Sequence, residues 1–264
     1  MDKILAPITN FLSSIFMAFY NFVASVTGNA TSAQKGLSLV LAVFLITLLV
    51  RLIILPLTIK QMKSTSKMQE VQPLVKKAQE KYKGNPEKAN AEVMKLYKEN
   101  NVSMTGGCLP LIIQMPILFA LYDVFNQVGQ NAVLMHDPVP SFLWIANLGG
   151  HDKFYILPIL SGLTTYLSSY LMQKGTGSGE NSPIPMGTMN IVMGVMLGFM
   201  SLKFPALLVF YWIIGNVIQM IQTYFLIILP KKKKMKKMEL ETGVIDVTPT
   251  KVDIQNNSKK KKKK

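Results

Sequence analysis

The apolar residues of this chain fall in long blocks at helical spacing, and the polar residues gather between them. The strongest block is residues 36–59, where the apolar run from Leu37 to Ile59 is broken by a single charge, Arg51. A helix of about 20 residues crosses a hydrocarbon core about 30 Å thick. Four further runs have that character: residues 107–128, 154–173, 186–202 and 205–229. The pattern predicts an all-α polytopic membrane protein with five transmembrane helices. Ahead of them, residues 1–35 hold a helix of another kind and a small polar linker. Ile4, Leu5, Ile8, Phe11, Leu12, Ile15, Phe16, Phe19, Phe22, Val23 and Val26 recur at three- and four-residue steps. Thr9, Asn10, Ser13, Ser14, Asn21 and Ser25 are assigned to the other face. Such a helix suits the membrane interface. A sixth crossing and a cleaved signal are the competing readings, the latter weakened because Asp2 offsets Lys3.

The connections carry their own signals. Residues 60–106 read as a helical hairpin. Gly84 ends its first arm, Asn85 caps the second, and Pro86 occupies the first turn. Pro73 is expected to kink the first arm. An apolar strip of Val71, Leu74, Val75, Ala78 and Tyr82 favours a folded, projecting element over a solvated connector. Residues 129–153 form a loop with Phe142 and Trp144 placed for the interface. Residues 174–185 are rich in Gly and Ser, which predicts a mobile loop. Residues 203–205 make a tight turn, and residues 230–264 a polybasic tail without a core, expected to be disordered.

Charge orients these elements. The net charge of +15 sits in the hairpin and the tail, and the rest is nearly neutral. The positive-inside rule puts both in the cytoplasm and the N-terminus outside. One cysteine excludes an internal disulfide, and with no cysteine near the N-terminus no lipid-anchored start is expected. His136 and His151 lack metal-ligand spacing, and no nucleophile–base pair or Gly-rich phosphate loop occurs. The chain is expected to be no enzyme and to need no cofactor.

Arg51 is the single arginine among 29 basic residues. It lies three residues from the midpoint of its span, about 4.5 Å along the axis. It cannot shed its proton, and a charge there costs about 2.5–3.5 kcal/mol on insertion scales. It should face a wet cavity or a buried partner, and Asp123 is the one candidate carboxylate in a span. Gln114, Thr164, Ser168, Asn190, Asn216, Gln219 and Gln222 scatter uncharged polarity through the other spans. They either line a groove around Arg51 or make ordinary interhelical hydrogen bonds. Met186, Met189, Met193, Met196 and Met200 form a thioether stripe beside Gly194-x-x-x-Gly198. Packing is the ordinary role of such a stripe, and an adaptable surface for apolar segments the alternative.

Several motifs in one order carry a resemblance. They are Arg51-Leu-x-x-Leu-Pro56, Lys60-Gln-Met-Lys, Lys67-Met-Gln-Glu-Val-Gln-Pro73, Gly106-Gly-Cys-Leu-Pro110, Gln114-Met-Pro-Ile-Leu-Phe-Ala-Leu-Tyr122, and Tyr211-Trp212 followed by Asn216. They resemble the YidC/Oxa/Alb membrane protein insertases over about residues 1–230, in the small Gram-positive form. The chain departs from that form in lacking the lipoprotein cysteine, and it has Ser103-Met104 where Asn-Pro is frequent. The resemblance implies a hydrophilic groove open to cytoplasm and lipid, with Arg51 inside and Trp212 as the fifth-span tryptophan. The groove set is then Arg51, Gln114, Thr164, Ser168, Asn190, Trp212 and Asn216. The implied function is a membrane protein insertase and folding chaperone of the bacterial plasma membrane, working without ATP. The alternative is a channel or secondary transporter with Arg51 as an anion site, but no paired repeats or broken half-helices support it. Expected partners are nascent membrane proteins, anionic lipids, the ribosome and the general secretion channel. Lys231, Lys232, Lys233 and Lys234 are expected on lipid, and Lys259, Lys260, Lys261 and Lys262 on the ribosome.

Overall fold

The computed structural model describes residues 2–100, 102, 109–130, 139–176, 186–230 and 232–233. Seven helices follow one another among them: α1 (Asp2–Thr27), α2 (Ser32–Lys81), α3 (Pro86–Glu99), α4 (Leu109–Gln130), α5 (Ile156–Thr176), α6 (Met186–Ser201) and α7 (Ala206–Thr223). A π-helical turn, Tyr224–Ile228, prolongs α7. Strand structure among the described residues is limited to one bridge, Phe142 with Ile145. Three helical stretches are long and apolar enough to cross a membrane by length and composition: Ala6–Thr27, Ser32–Met68 and Ala206–Ile228. The chain is thus an all-α polytopic membrane protein.

The first span and the first hairpin arm are one helix. α2 runs 50 residues without interruption, about 75 Å at 1.5 Å per residue, far more than a bilayer needs. Pro56 and Pro73 both lie inside it. It starts in a capping box. Thr31 Oγ1 accepts from the Gln34 amide at 3.2 Å, and Thr31 N donates to Gln34 Oε1 at 3.1 Å. The hairpin tip follows the sequence signals. Asn85 Oδ1 accepts from the Lys88 amide at 3.0 Å, with Pro86 in the first turn. The second arm folds back so that Val71, Val75 and Val102 are buried beside Leu74, Val93, Leu96 and Tyr97. Burial in this small cluster pushes the Tyr97 phenol pKa up.

The main core lies at the opposite end of the bundle. Phe16, Leu39, Ile46, Leu121, Phe125, Leu148, Leu157, Leu207 and Leu208 are almost completely enclosed there. Phe16 meets Phe125 edge-on at 5.6 Å. The segment from 139 to 155 closes this end. Gly150 and Leu148 give their carbonyls to the Ala206 and Leu207 amides, at 2.8 and 3.3 Å. Two N–H groups that a helix start leaves orphaned are thereby satisfied. Buried Asp152 does the same for α5, accepting from Phe154 N at 3.0 Å and Leu157 N at 2.7 Å. It also accepts from Trp144 Nε1 at 3.3 Å. Phe142 packs edge-on against Phe210 at 5.6 Å, and Phe142 and Trp144 both lie against the core. Ser141 N donates to Ser32 O at 3.0 Å, and a Cβ on Gly36 would overlap the Ser141 carbonyl. Glycine there lets the loop sit against α2.

Two face assignments need correction. Thr9, placed on the polar face of α1, is 5% exposed and lies on the packed side, while Phe11, Phe22 and Val26 are largely exposed. In α6 the packed seam is glycine and not methionine. A Cβ on Gly194 would lie 3.0 Å from Gly162 O, and one on Gly198 3.2 Å from Pro158 O. Met196 and Met200 are 50% and 39% exposed. Small residues let two backbones approach, which flexible thioethers prevent. The side chains of Met186 and Met189, the Gly106–Cys108 motif, most of the loop 174–185, and the tail apart from residues 230, 232 and 233 lie outside the described residues.

Candidate functional site

The polar side chains of the bundle gather on α7 below its buried first two turns. Ala206 to Tyr211 are buried, as are Gly215, Asn216 and Thr223. α7 packs against α2 on one side and α5 on another, with α4 nearby. Its polar residues divide accordingly. Towards α2 and α4 lie Tyr211, Gly215 and Gln219, at four-residue steps on one face. Towards α5 lies Asn216.

Arg51 reaches α7 from α2. Its Nη2 donates to the Gly215 carbonyl at 3.0 Å and to Gln219 Oε1 at 3.4 Å. Both acceptors are neutral, and among the described residues no carboxylate pairs with the guanidinium. Asp123 sits elsewhere, beside α1. The ion-pair reading of Arg51 therefore has no partner here. Gly215 permits the approach, because a Cβ on it would lie 3.2 Å from Nη2. A guanidinium has five N–H donors, so capacity for an incoming acceptor remains. On α2, Leu52 and Ile53 beside Arg51 are 55% and 65% exposed. The arginine is thus flanked by surface that no helix among the described residues covers.

Two further pairs tie the site together. Gln114 Nε2 donates to Tyr211 Oη at 2.9 Å, linking α4 to α7 one turn above Gly215. Asn216 Nδ2 donates to Thr165 Oγ1 at 2.9 Å and to Thr164 Oγ1 at 3.3 Å, linking α7 to α5. Ser168 is buried one turn further along α5. The remaining members of the expected set stand apart. Asn190 donates to Gln173 at 3.0 Å, on the α5–α6 contact. Trp212 stacks on Phe204 at 6.2 Å, nearer the closed end. Lys232 and Lys233 are exposed at the end of α7, whereas Lys231, Lys234 and Lys259–Lys262 lie outside the described residues. Gly215, Tyr211, Thr165 and Gln173 take part although none belongs to the expected set. Two buried oxygens near the C-terminal end of α7, Gln222 Oε1 and Thr223 Oγ1, have no partner among the described residues.

A multi-pass helical bundle, sealed at one end and carrying an arginine on neutral acceptors towards the other, defines a membrane protein with a polar intramembrane site. The model of the 60 kDa inner membrane protein family matches residues 30–234. The chain belongs to this family, the YidC/Oxa/Alb insertases. It is 54% identical over 242 residues to the membrane protein insertase YidC of Clostridium perfringens, covering 90% of this chain and 98% of that protein. A YidC of Clostridium tetani is 40% identical over 88% of this chain and 97% of that protein. A crystal structure of an active YidC insertase with its first transmembrane domain resolved superposes with TM-score 0.60 at 27% identity. The match covers 85% of this chain and spans 46% of that one.

Proposed function

We propose that this chain is an insertase and folding chaperone that moves short outer segments of nascent membrane proteins across the bacterial plasma membrane. The observation that carries this reading is Arg51 held at mid-bundle by two neutral acceptors, next to uncovered surface. Its charge stays uncompensated. An acidic segment entering the groove offers a carboxylate, and a charge-assisted hydrogen bond is roughly twice as strong as a neutral one. The longer contact, to Gln219, is the one to exchange. Gln114 and Tyr211 keep the path polar beside Arg51, while Asn216 and Thr164 tie α7 to α5 with Ser168 buried near them, and Asn190 and Trp212 lie apart from it.

The energetics need no nucleotide. An aspartate at the membrane centre costs about 2.5–3.5 kcal/mol on insertion scales, and each Leu, Ile, Phe or Val contributes about 0.3–0.6. An apolar helix of about 20 such residues therefore supplies roughly 6–12 kcal/mol, which offsets two or three carboxylates. Entry of the helix into lipid drives the step, and Arg51 lowers the barrier on the way.

In this reading α2, α4, α5, α6 and α7 are five crossings, with the hairpin and the tail in the cytoplasm. α1 lies across the outer face. Ala6, Thr9 and Asn10 face Asp123, Asn126, Gln127 and Gln130 near the end of α4, Phe16 meets Phe125, and Thr27 bonds Ser38 at 2.7 Å, which supports that placement. The lysines beside α7 rest on anionic lipid, the distal run Lys259–Lys264 meets the ribosome, and the secretion channel is a further partner. The test is site-specific crosslinking of a ribosome-bound single-span nascent chain. Adducts are expected at probes replacing Leu52 and Gln219. Adducts confined to the lipid-facing side of α6 would exclude the groove as the path.

A further inference from the structure

A second polar site lies between α1 and the last turns of α4. It is a cavity of about 250 Å³ lined by Thr9 and Asn10 on one side and Asp123, Asn126, Gln127 and Gln130 on the other. Thr9 is 5% exposed, and its hydroxyl has no partner in the structure. Buried polar atoms are nearly always paired, so an unpaired hydroxyl in the wall of a polar cavity is unusual. Among the described residues no cation pairs with Asp123.

The surroundings say what kind of ligand fits. Met115, Phe119, Asp123 and Gln127 follow one another at four-residue steps, on one face of α4. Met115 and Phe119 are 37% and 43% exposed. A polar cavity at the head of an exposed apolar strip has the layout of a lipid, headgroup above and chains below. The carboxylate favours a headgroup with a cation. The surrounding carboxamides supply N–H donors for a phosphate.

We propose that this cavity binds an aminophospholipid, with the headgroup ammonium on Asp123 and the phosphate on the carboxamides of Asn10, Asn126 and Gln127. Its acyl chains run over Phe119 and Met115. The proposal rests on the chain being a membrane protein and is independent of the Arg51 groove. An anionic headgroup without an amine meets repulsion from Asp123, and a quaternary amine offers it no N–H.

Native mass spectrometry of the detergent-solubilised full chain tests this, with phosphatidylethanolamine, phosphatidylglycerol and phosphatidylcholine of matched acyl chains. Phosphatidylethanolamine should be retained roughly tenfold better than the other two, the scale of one charge-assisted hydrogen bond. Asp123→Asn should abolish that preference, and Asn21→Leu, on an exposed position of α1, should leave it unchanged. If Asp123→Asn does not fold, Asp123→Ser carries the same test. Equal retention of the three lipids, or a preference that survives in the folded variant, overturns the proposal. Full displacement by an equal amount of free phosphoethanolamine overturns it too, since the chains would then contribute nothing.

Discussion

The Gly215 carbonyl accepts from Arg51 Nη2 at 3.0 Å, and the missing side chain of the same glycine leaves the guanidinium its place. A backbone acceptor and an absent Cβ together position the charge. Gly215→Ala would set a methyl 3.2 Å from Nη2. Arg51 can yield by a few tenths of an ångström, so insertion of acidic substrates should fall by a few-fold while the protein stays folded. Gly215→Leu should lose most of it, since overpacking costs about 1–3 kcal/mol. Protease-protection assays on proteoliposomes read both. Full activity of Gly215→Leu would show that the guanidinium position is immaterial.

Gly36 has a different task. A Cβ there overlaps backbone and not a movable side chain. Gly36→Ala should displace the loop around Ser141 from α2 and destabilise the closed end by about 1–3 kcal/mol. Thermal unfolding in detergent should report a lower midpoint, with a much smaller shift for Gly84→Ala, where nothing lies within 4 Å. Equal midpoints for wild type and Gly36→Ala would contradict the packing described.

How much of this was readable in advance depends on how local each signal is. The Asn85–Pro86 cap and the Gly194–Gly198 approach are local, and both stand in the structure. The unbroken passage of α2 through Lys60 was not readable. The change from apolar to lysine-rich composition alters the surroundings, while Lys, Gln and Met keep good helix propensity. The partner of Arg51 was hidden for another reason. Every residue carries a carbonyl, so a backbone acceptor leaves no side-chain signature, and only the small size of Gly215 hints at it. Methionines and glycines of α6 share the same helical period, and sequence spacing does not say which face packs. Thr9 was misplaced because α1 has apolar residues on its packed and its exposed side alike.

The hairpin rests on a small cluster, and α3 has no buried residue of its own. Opening free energy follows the number of buried contacts. Amide exchange over Pro86–Glu99 should therefore be much faster than over Ala206–Thr223. Val75→Asp should speed it further and leave the exchange of α7 unchanged. Protection of α3 equal to that of α7 would mean that the hairpin is docked on something else.

Insertion of acidic segments is expected to depend on the charge of Arg51 and not on the shape of its bonds, and reconstitution reads this most directly. Purified wild type, Arg51→Lys and Arg51→Ala are reconstituted in liposomes and given a single-span substrate with an acidic or a neutral outer segment. Lysine keeps the charge but not the planar fork. Arg51→Lys should retain substantial insertion of the acidic substrate, and Arg51→Ala should lose most of it. The neutral substrate should respond much less to either change. Normal insertion of the acidic substrate by Arg51→Ala would contradict the account.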